Sequence, residues 1–271
     1  TNASYSNNTD EIWFVTDRDN EFNRLSTLNL KTKKITYHTS KIPWNVEGYF
    51  LSEDKKTIVF VTNEAGSNKM YIMNTVDKSY YEVKNIPIGL IGGADFSKDN
   101  QNVFFTQSTA QSASDVYKLN IKSGKIEQWT ASELGEMQQS DMSTPKFIEW
   151  KSFDNLTISG FYYPASKKFT GKRPVLINIH GGPEGQSQAS FLGSNNYYTN
   201  EMGVSLIFPN VRGSSGFGKT FLAKDNGFLR EDSVKDIGAL LDWIAMQPDL
   251  DKDKIMIMGG SYGGYMTLAT A

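Results

Sequence analysis

Two different periods of apolar residues run along this chain. Up to about residue 140, short apolar runs alternate with polar turns. Ile12-Trp13-Phe14-Val15-Thr16, Ile58-Val59-Phe60-Val61-Thr62 and Val103-Phe104-Phe105-Thr106 recur at a spacing of about 45 residues. The second and third are preceded by Ser52-Glu53-Asp54-Lys55-Lys56 and Ser97-Lys98-Asp99-Asn100-Gln101. A second echo follows in each unit. Leu28-Asn29-Leu30-Lys31-Thr32-Lys33 matches Leu119-Asn120-Ile121-Lys122-Ser123-Gly124, with Met73-Asn74-Thr75-Val76-Asp77-Lys78 between them. β-Branched and aromatic residues favour extended chain, and the Asp, Asn, Lys and Gly clusters supply turns. About 45 residues is the length of one four-stranded propeller blade. Residues 1–140 therefore read as a partial β-propeller of about three blades. A closed ring takes more blades, so further blades are expected upstream. The competing arrangement is a plain β-sandwich.

Beyond residue 140 the period changes. Lys146-Phe147-Ile148-Glu149-Trp150-Lys151 and Leu156 to Tyr163 form a predicted hairpin through Asp154-Asn155. Pro174-Val175-Leu176-Ile177-Asn178-Ile179 is a buried-type strand. Helix-compatible residues follow around Tyr197 and Met202, then the strand Val204-Ser205-Leu206-Ile207-Phe208. Val234, Ile237, Leu240, Leu241 and Ile244 recur at three- to four-residue spacing, which predicts a helix over 232–246. Asp232 or Ser233 is its expected cap. Ile255-Met256-Ile257-Met258 closes the alternation as one more strand, with a short helix over 265–269 after it. This order predicts a mostly parallel α/β sheet over 141–271. It fits the N-terminal part of an α/β-hydrolase domain, incomplete at its C-terminus.

Composition narrows the function classes. The 271 residues carry 28 basic and 30 acidic side chains, a net charge of −2. With no basic stripe, nucleic acid is not an expected partner. With no run of 18 apolar residues, no membrane span is expected. Cysteine is absent, which removes disulfides, thiolate sites and a Cys nucleophile, and leaves the compartment open. The two histidines lack ligand spacing, so neither a metal site nor a cofactor is expected.

Gly259-Gly260-Ser261-Tyr262-Gly263-Gly264 contains G-x-S-x-G directly after a strand. That context defines a nucleophile elbow, which lifts a serine hydroxyl out of the sheet. Ser261 is the candidate nucleophile. One strand upstream, His180-Gly181-Gly182-Pro183 brings backbone N–H groups close to a substrate oxygen. The second oxyanion donor would be the N–H of Tyr262, the residue after the nucleophile. His180 is rejected as general base, because hydrolases of this order place the base after the nucleophile. His38, among polar neighbours, reads as a surface side chain. The order Ser, Asp, His puts both missing partners after Ser261, and the last ten residues hold neither. The expected reading is an incomplete gene product, inactive alone, whose Asp and His lie beyond Ala271. A rival motif is Gly213-Ser214-Ser215-Gly216-Phe217-Gly218-Lys219-Thr220, which satisfies the phosphate-loop pattern. Its mechanism needs a strand just before it and a long helix after it. Asp225-Asn226-Gly227 interrupts any such helix.

Three segments together resemble the prolyl oligopeptidase family of serine peptidases, in its acylaminoacyl-peptidase and dipeptidyl-peptidase-like branch. They are 210–218 (N-V-R-G-S-S-G-F-G), the H-G-G-P loop at 180–183 and G-G-S-Y-G-G-Y-M at 259–266. The resemblance implies Ser261 as nucleophile and the N–H groups of Gly182 and Tyr262 as oxyanion donors. It also implies that Arg212 is structural near the site, with His180 and Gly181 supporting the loop. The implied fold is a propeller capping an α/β-hydrolase domain, acting on short peptides, and a homo-oligomer stays open. An esterase on the same scaffold and a non-catalytic propeller binding protein are the alternatives. A nucleotide binder is the outsider.

Overall fold

The computed structural model describes residues 3–135 and 137–271. The chain divides into two compact units, Thr1–Ser132 and Glu133–Ala271.

The first unit is built from three four-stranded antiparallel sheets in chain order. The first sheet holds β1 (Ser4–Tyr5), β2 (Glu11–Thr16), β3 (Arg24–Asn29) and β4 (Ile35–Tyr37). The second holds β5 (Asn45–Leu51), β6 (Thr57–Glu64), β7 (Ser67–Asn74) and β8 (Tyr80–Glu82). The third holds β9 (Gly89–Phe96), β10 (Asn102–Thr109), β11 (Ser112–Asn120) and β12 (Ile126–Gln128). Each apolar run of the repeat is the second strand of its sheet.

The repeated polar residues make repeated turns. Between β5 and β6, Asp54 Oδ1 accepts from the Ser52 hydroxyl at 2.7 Å and the Lys56 N–H at 3.0 Å. Between β9 and β10, Asp99 Oδ1 accepts from the Ser97 hydroxyl at 2.5 Å and the Gln101 N–H at 3.0 Å. Lys55 and Asn100 take the same left-handed position, at φ 58° and 56°. The third-to-fourth strand turns repeat likewise. Asn29, Asn74 and Asn120 each accept a backbone N–H on Oδ1, from Thr32, Val76 and Ser123. Short polar side chains hold such turns by mimicking a backbone acceptor.

The unbroken run Ile58-Val59-Phe60-Val61 has a packing reason. Ile58 and Phe60 join a core with Trp13, Val15 and Leu25 of the first sheet. Val59 and Val61 face the other way, into a core with Val103, Phe105 and Leu119 of the third. A strand buried on both faces loses the polar alternation of a half-exposed one. His38 departs from expectation. It is half-buried, its ring centroid 5.0 Å from that of Trp13 and its Nε2 3.0 Å from the Thr27 hydroxyl. Burial, and then the charge of Lys78, lowers its pKa to about 4.

The second unit has a five-stranded mixed sheet. Its strands are β13 (Lys146–Lys151), β14 (Thr157–Tyr163), β15 (Arg173–Ile179), β16 (Ser205–Asn210) and β17 (Leu250–Gly259). Their order is β13-β14-β16-β15-β17. β15 runs parallel to both β16 and β17, and β14 is antiparallel to β13 and β16. The helices are α1 (Asn196–Asn200), α2 (Lys219–Leu222), α3 (Arg230–Ala245) and α4 (Tyr262–Ala269). Ile237, Leu240 and Ile244 of α3 are fully buried in one core with Ile158, Val175, Ile177 and Ile207.

α3 starts before the expected residue 232. Its first residue is Arg230, and no side chain caps it. Ser233 is the fourth residue of the helix, too far in to cap it, and its hydroxyl instead donates to the Arg230 carbonyl at 2.6 Å and lies 2.7 Å from the Tyr262 hydroxyl. Among the described residues, no helix is long and apolar enough to cross a membrane.

Candidate active site

The elbow sits where β17 meets α4. Ser261 adopts φ 54° and ψ −118°, a conformation uncommon for a non-glycine residue, and its side chain is exposed. Functional turns often hold such geometry when surrounding structure enforces it. The enforcement comes from two glycines. A Cβ on Gly259 would lie 2.6 Å from the Gly263 carbonyl carbon and 2.6 Å from Ile179 O. A Cβ on Gly263 would lie 2.1 Å from Ile179 O. Only glycine lets the start of α4 press against the end of β15. Tyr262 is the first residue of α4, so its N–H has no partner within the helix. The helix dipole adds positive potential at that point.

The H-G-G-P loop leaves β15 beside the elbow. A Cβ on Gly181 would sit 3.3 Å from Gly260 O and 3.6 Å from Ser261 Cβ. Gly182 takes φ 132° before a cis peptide bond to Pro183. A Cβ there would meet the Glu184 and Gly185 nitrogens at 2.5 Å. The loop thus brings Gly181 against Ser261, with Gly182 next along the chain.

His180 is turned to other work. Its Nδ1 lies 2.8 Å from the Gly181 carbonyl, and its Nε2 lies 2.9 Å from the Ser214 hydroxyl. A carbonyl only accepts, so Nδ1 donates to Gly181, while the Ser214 hydroxyl beside Nε2 donates to the Val211 carbonyl at 2.6 Å. Burial lowers the pKa of this imidazole, which favours the neutral form. Both ring nitrogens therefore have partners other than Ser261.

Arg212 follows β16 and is buried, 4 % exposed. Its Nε lies 3.1 Å from both oxygens of Asp236, and its Nη2 lies 2.8 Å from Asp236 Oδ1. Nη1 and Nη2 each reach Asp154 at 3.0 Å. Burial opposes the charge, but the two carboxylates outweigh it and raise the arginine pKa. The Ser152 hydroxyl donates to Asp236 Oδ1 at 2.6 Å, and Trp150 Nε1 donates to the Asp236 carbonyl at 3.0 Å. This network ties the β13–β14 turn, the segment after β16 and α3 together. The glycine-rich run at 213–218 belongs to the same segment. Gly213, Gly216 and Gly218 all take φ 89°, and the helix after them, α2, has four residues. That is far short of the long helix on which a phosphate loop relies.

One functional candidate carries no sequence signal. Asp225 sits in a stretch of turn-forming residues, yet it is fully buried next to Gly213 and Tyr262. A long-range contact of this kind leaves no local pattern. Among the described residues, no three His, Asp or Glu side chains group as a metal site.

Residues 189–271 match the model of the prolyl oligopeptidase family. The chain is 27 % identical over 263 residues to dipeptidyl-peptidase 5 of Porphyromonas gingivalis, covering 93 % of this chain and 37 % of that protein. It is 37 % identical over 95 residues to dipeptidyl aminopeptidase BIII of Pseudoxanthomonas mexicana, covering 35 % of this chain and 14 % of the relative. Among solved structures, a puromycin hydrolase superposes with a TM-score of 0.85 at 18 % identity, over 99 % of this chain and 42 % of the other. This likeness is one of fold. Over residues 189–271 the sequence is similar to the prolyl oligopeptidase family, and the relatives it matches include dipeptidyl peptidases. The chain spans 37 % of the length of the dipeptidyl-peptidase it matches.

Proposed function

We propose that this chain carries the nucleophile and oxyanion site of a serine peptidase acting on short peptides. The three sheets of the first unit are read as propeller blades, and the second unit as the opening part of an α/β-hydrolase domain. The observation that supports this most is Ser261 itself: exposed, at φ 54°, on a glycine-packed bend against Gly181.

In this reading Ser261 Oγ attacks the carbonyl carbon of the scissile bond while a general base takes its proton. The N–H groups of Tyr262 and Gly182 hold the oxyanion that forms. The C–N bond then breaks, and the amine leaves with the proton returned by the base. Water repeats the sequence on the acyl-enzyme and frees the acid. Arg212 acts through position alone, by fixing the segment after β16. Neither histidine is placed as the base. His180 is bonded to Gly181 and Ser214, and His38 belongs to the other unit. The reading therefore takes its base and orienting carboxylate from outside these 271 residues.

The test is labelling of the full-length protein with a fluorophosphonate, followed by peptide mapping, together with hydrolysis of a short-peptide panel. Adduct on Ser261 and loss of peptide hydrolysis in Ser261→Ala are expected. A folded full-length protein that hydrolyses peptides equally well as Ser261→Ala would refute the reading.

A further inference from the structure

Beneath the elbow lies a carboxyl group that the chemistry above does not use. Asp225 ends the short 3-10 turn Ala223–Asp225, and its side chain has no solvent exposure. Among the described residues, neither of its carboxyl oxygens has a hydrogen-bond partner. It is wedged on three sides. A Cβ on Gly213 would lie 2.2 Å from its Cγ. Arg230 Nη2 stands 4.0 Å from Oδ2, and Arg230 Nε donates to the Asp225 carbonyl at 3.5 Å. The Arg230 guanidinium also covers the Tyr262 ring at 5.4 Å from its centroid. The Tyr262 hydroxyl is the third neighbour.

Both limbs of the oxyanion site end on this wedge. One limb is Tyr262, whose buried side chain points down while its N–H starts α4. The other runs through Gly213 to Ser214 and Ser215. The Ser214 hydroxyl meets His180 at 2.9 Å, and the Ser215 N–H donates to the Gly185 carbonyl at 2.8 Å. Those contacts set the loop that carries Gly182.

We propose that Asp225 is a positioning residue for the oxyanion site: its carboxyl props Tyr262 and the Gly213 turn so that the Tyr262 and Gly182 N–H groups face one point. The inference rests on the reading of Ser261 as nucleophile.

A count of protons says which form of Asp225 does this. Ser233 has one hydroxyl proton, and it goes to the Arg230 carbonyl at 2.6 Å. The Tyr262 hydroxyl must then donate across its 2.7 Å contact to Ser233. Towards Asp225 the phenol oxygen is left with acceptor capacity only. A protonated carboxyl completes that chain, whereas a carboxylate sets lone pair against lone pair. Burial raises the Asp225 pKa, with Arg230 and the Tyr262 hydroxyl opposing. The charged and titratable groups facing it are Arg230 from α3, Tyr262 from α4, Glu184 from the loop after β15, and His180 at the end of β15. Alignment is therefore best below the Asp225 ionisation and declines above it.

The experiment follows fluorophosphonate labelling of Ser261 against pH in the full-length protein, for the wild type, Asp225→Asn and Asp225→Ala. Alongside, carbon-13 shifts of the Asp225 carboxyl and the amide shift of Tyr262 are recorded over the same range. The wild-type rate should fall at high pH with the Asp225 midpoint. Asp225→Asn, whose amide donates as the protonated acid does, should keep the low-pH rate and lack that fall. Asp225→Ala should be slower by about tenfold or more at every pH, the scale on which small misplacements act. An unchanged fall in Asp225→Asn, or a wild-type rate in Asp225→Ala, overturns the proposal. If the wild type is not labelled at any pH, the nucleophile reading is what fails. The shifts then decide on Asp225: a raised midpoint shared by the Tyr262 amide supports the prop, and an ordinary midpoint that Tyr262 ignores overturns it.

Discussion

Asp236 accepts from Arg212 twice over, from its backbone N–H at 2.9 Å and from its guanidinium at 2.8 Å. One fully buried carboxylate thus fixes both the side chain and the main chain of the residue that follows β16. Removing one partner strands a buried charge, which typically costs about 3–5 kcal/mol. Asp236→Asn and Arg212→Met are each expected to lose stability on that scale in urea denaturation. Arg212→Lys should also be destabilised, because an ammonium cannot bridge Asp236 and Asp154 with a planar fork. A change below about 0.5 kcal/mol, the level of an ordinary surface substitution, would contradict the structural role.

Two neighbouring glycines of α4 should respond in opposite ways. A Cβ on Gly263 would meet the Ile179 backbone oxygen at 2.1 Å, whereas on Gly264 its nearest contact is Gly259 O at 3.5 Å. Gly263→Ala forces β15 and α4 apart and should cost about 1–3 kcal/mol. Gly264→Ala has room and should be neutral, or stabilise by up to about 1 kcal/mol through helix propensity. Parallel thermal melts of the two variants check this, and equal melting temperatures would count against the packing.

His38 makes the first unit sensitive to mild acid. Its folded pKa of about 4 lies below the unstructured value of 6.5. Between these values the unfolded chain binds the extra proton, so stability rises with pH. The contribution is complete above about pH 6.5 and shrinks as pH falls towards 4, by at most about 3 kcal/mol. Unfolding free energies measured from pH 7 to 4 should show this slope, and His38→Gln should flatten it. An identical slope in the variant would assign the effect to other groups.

Much of this architecture is legible in the chain because its signals are local. Asp54 and Asp99, or Asn29, Asn74 and Asn120, announce turns from their own side chains. The elbow glycines are legible because their G-x-S-x-G spacing is local, although the atom they make room for, Ile179 O, lies on β15. What stays hidden depends on distant partners. Ser233 looks like a helix cap, but the helix starts three residues earlier and Ser233 bonds back to the Arg230 carbonyl beside Tyr262. The charged run Asp251-Lys252-Asp253-Lys254 looks like loop, yet Leu250 pairs with Arg173 and draws it into β17. His38 lies among polar neighbours in sequence, and only the fold brings Trp13 against its ring. Asp225 has no motif at all, and its burial follows from the Gly213 bend.

The most direct measurement is a crystal structure of the fluorophosphonate adduct of the full-length protein. Phosphorus is expected on Ser261 Oγ, with its phosphoryl oxygen about 2.7–3.1 Å from the backbone nitrogens of both Tyr262 and Gly182, the spacing of oxyanion donors. An adduct on another side chain, or a phosphoryl oxygen turned away from those two nitrogens, would contradict it.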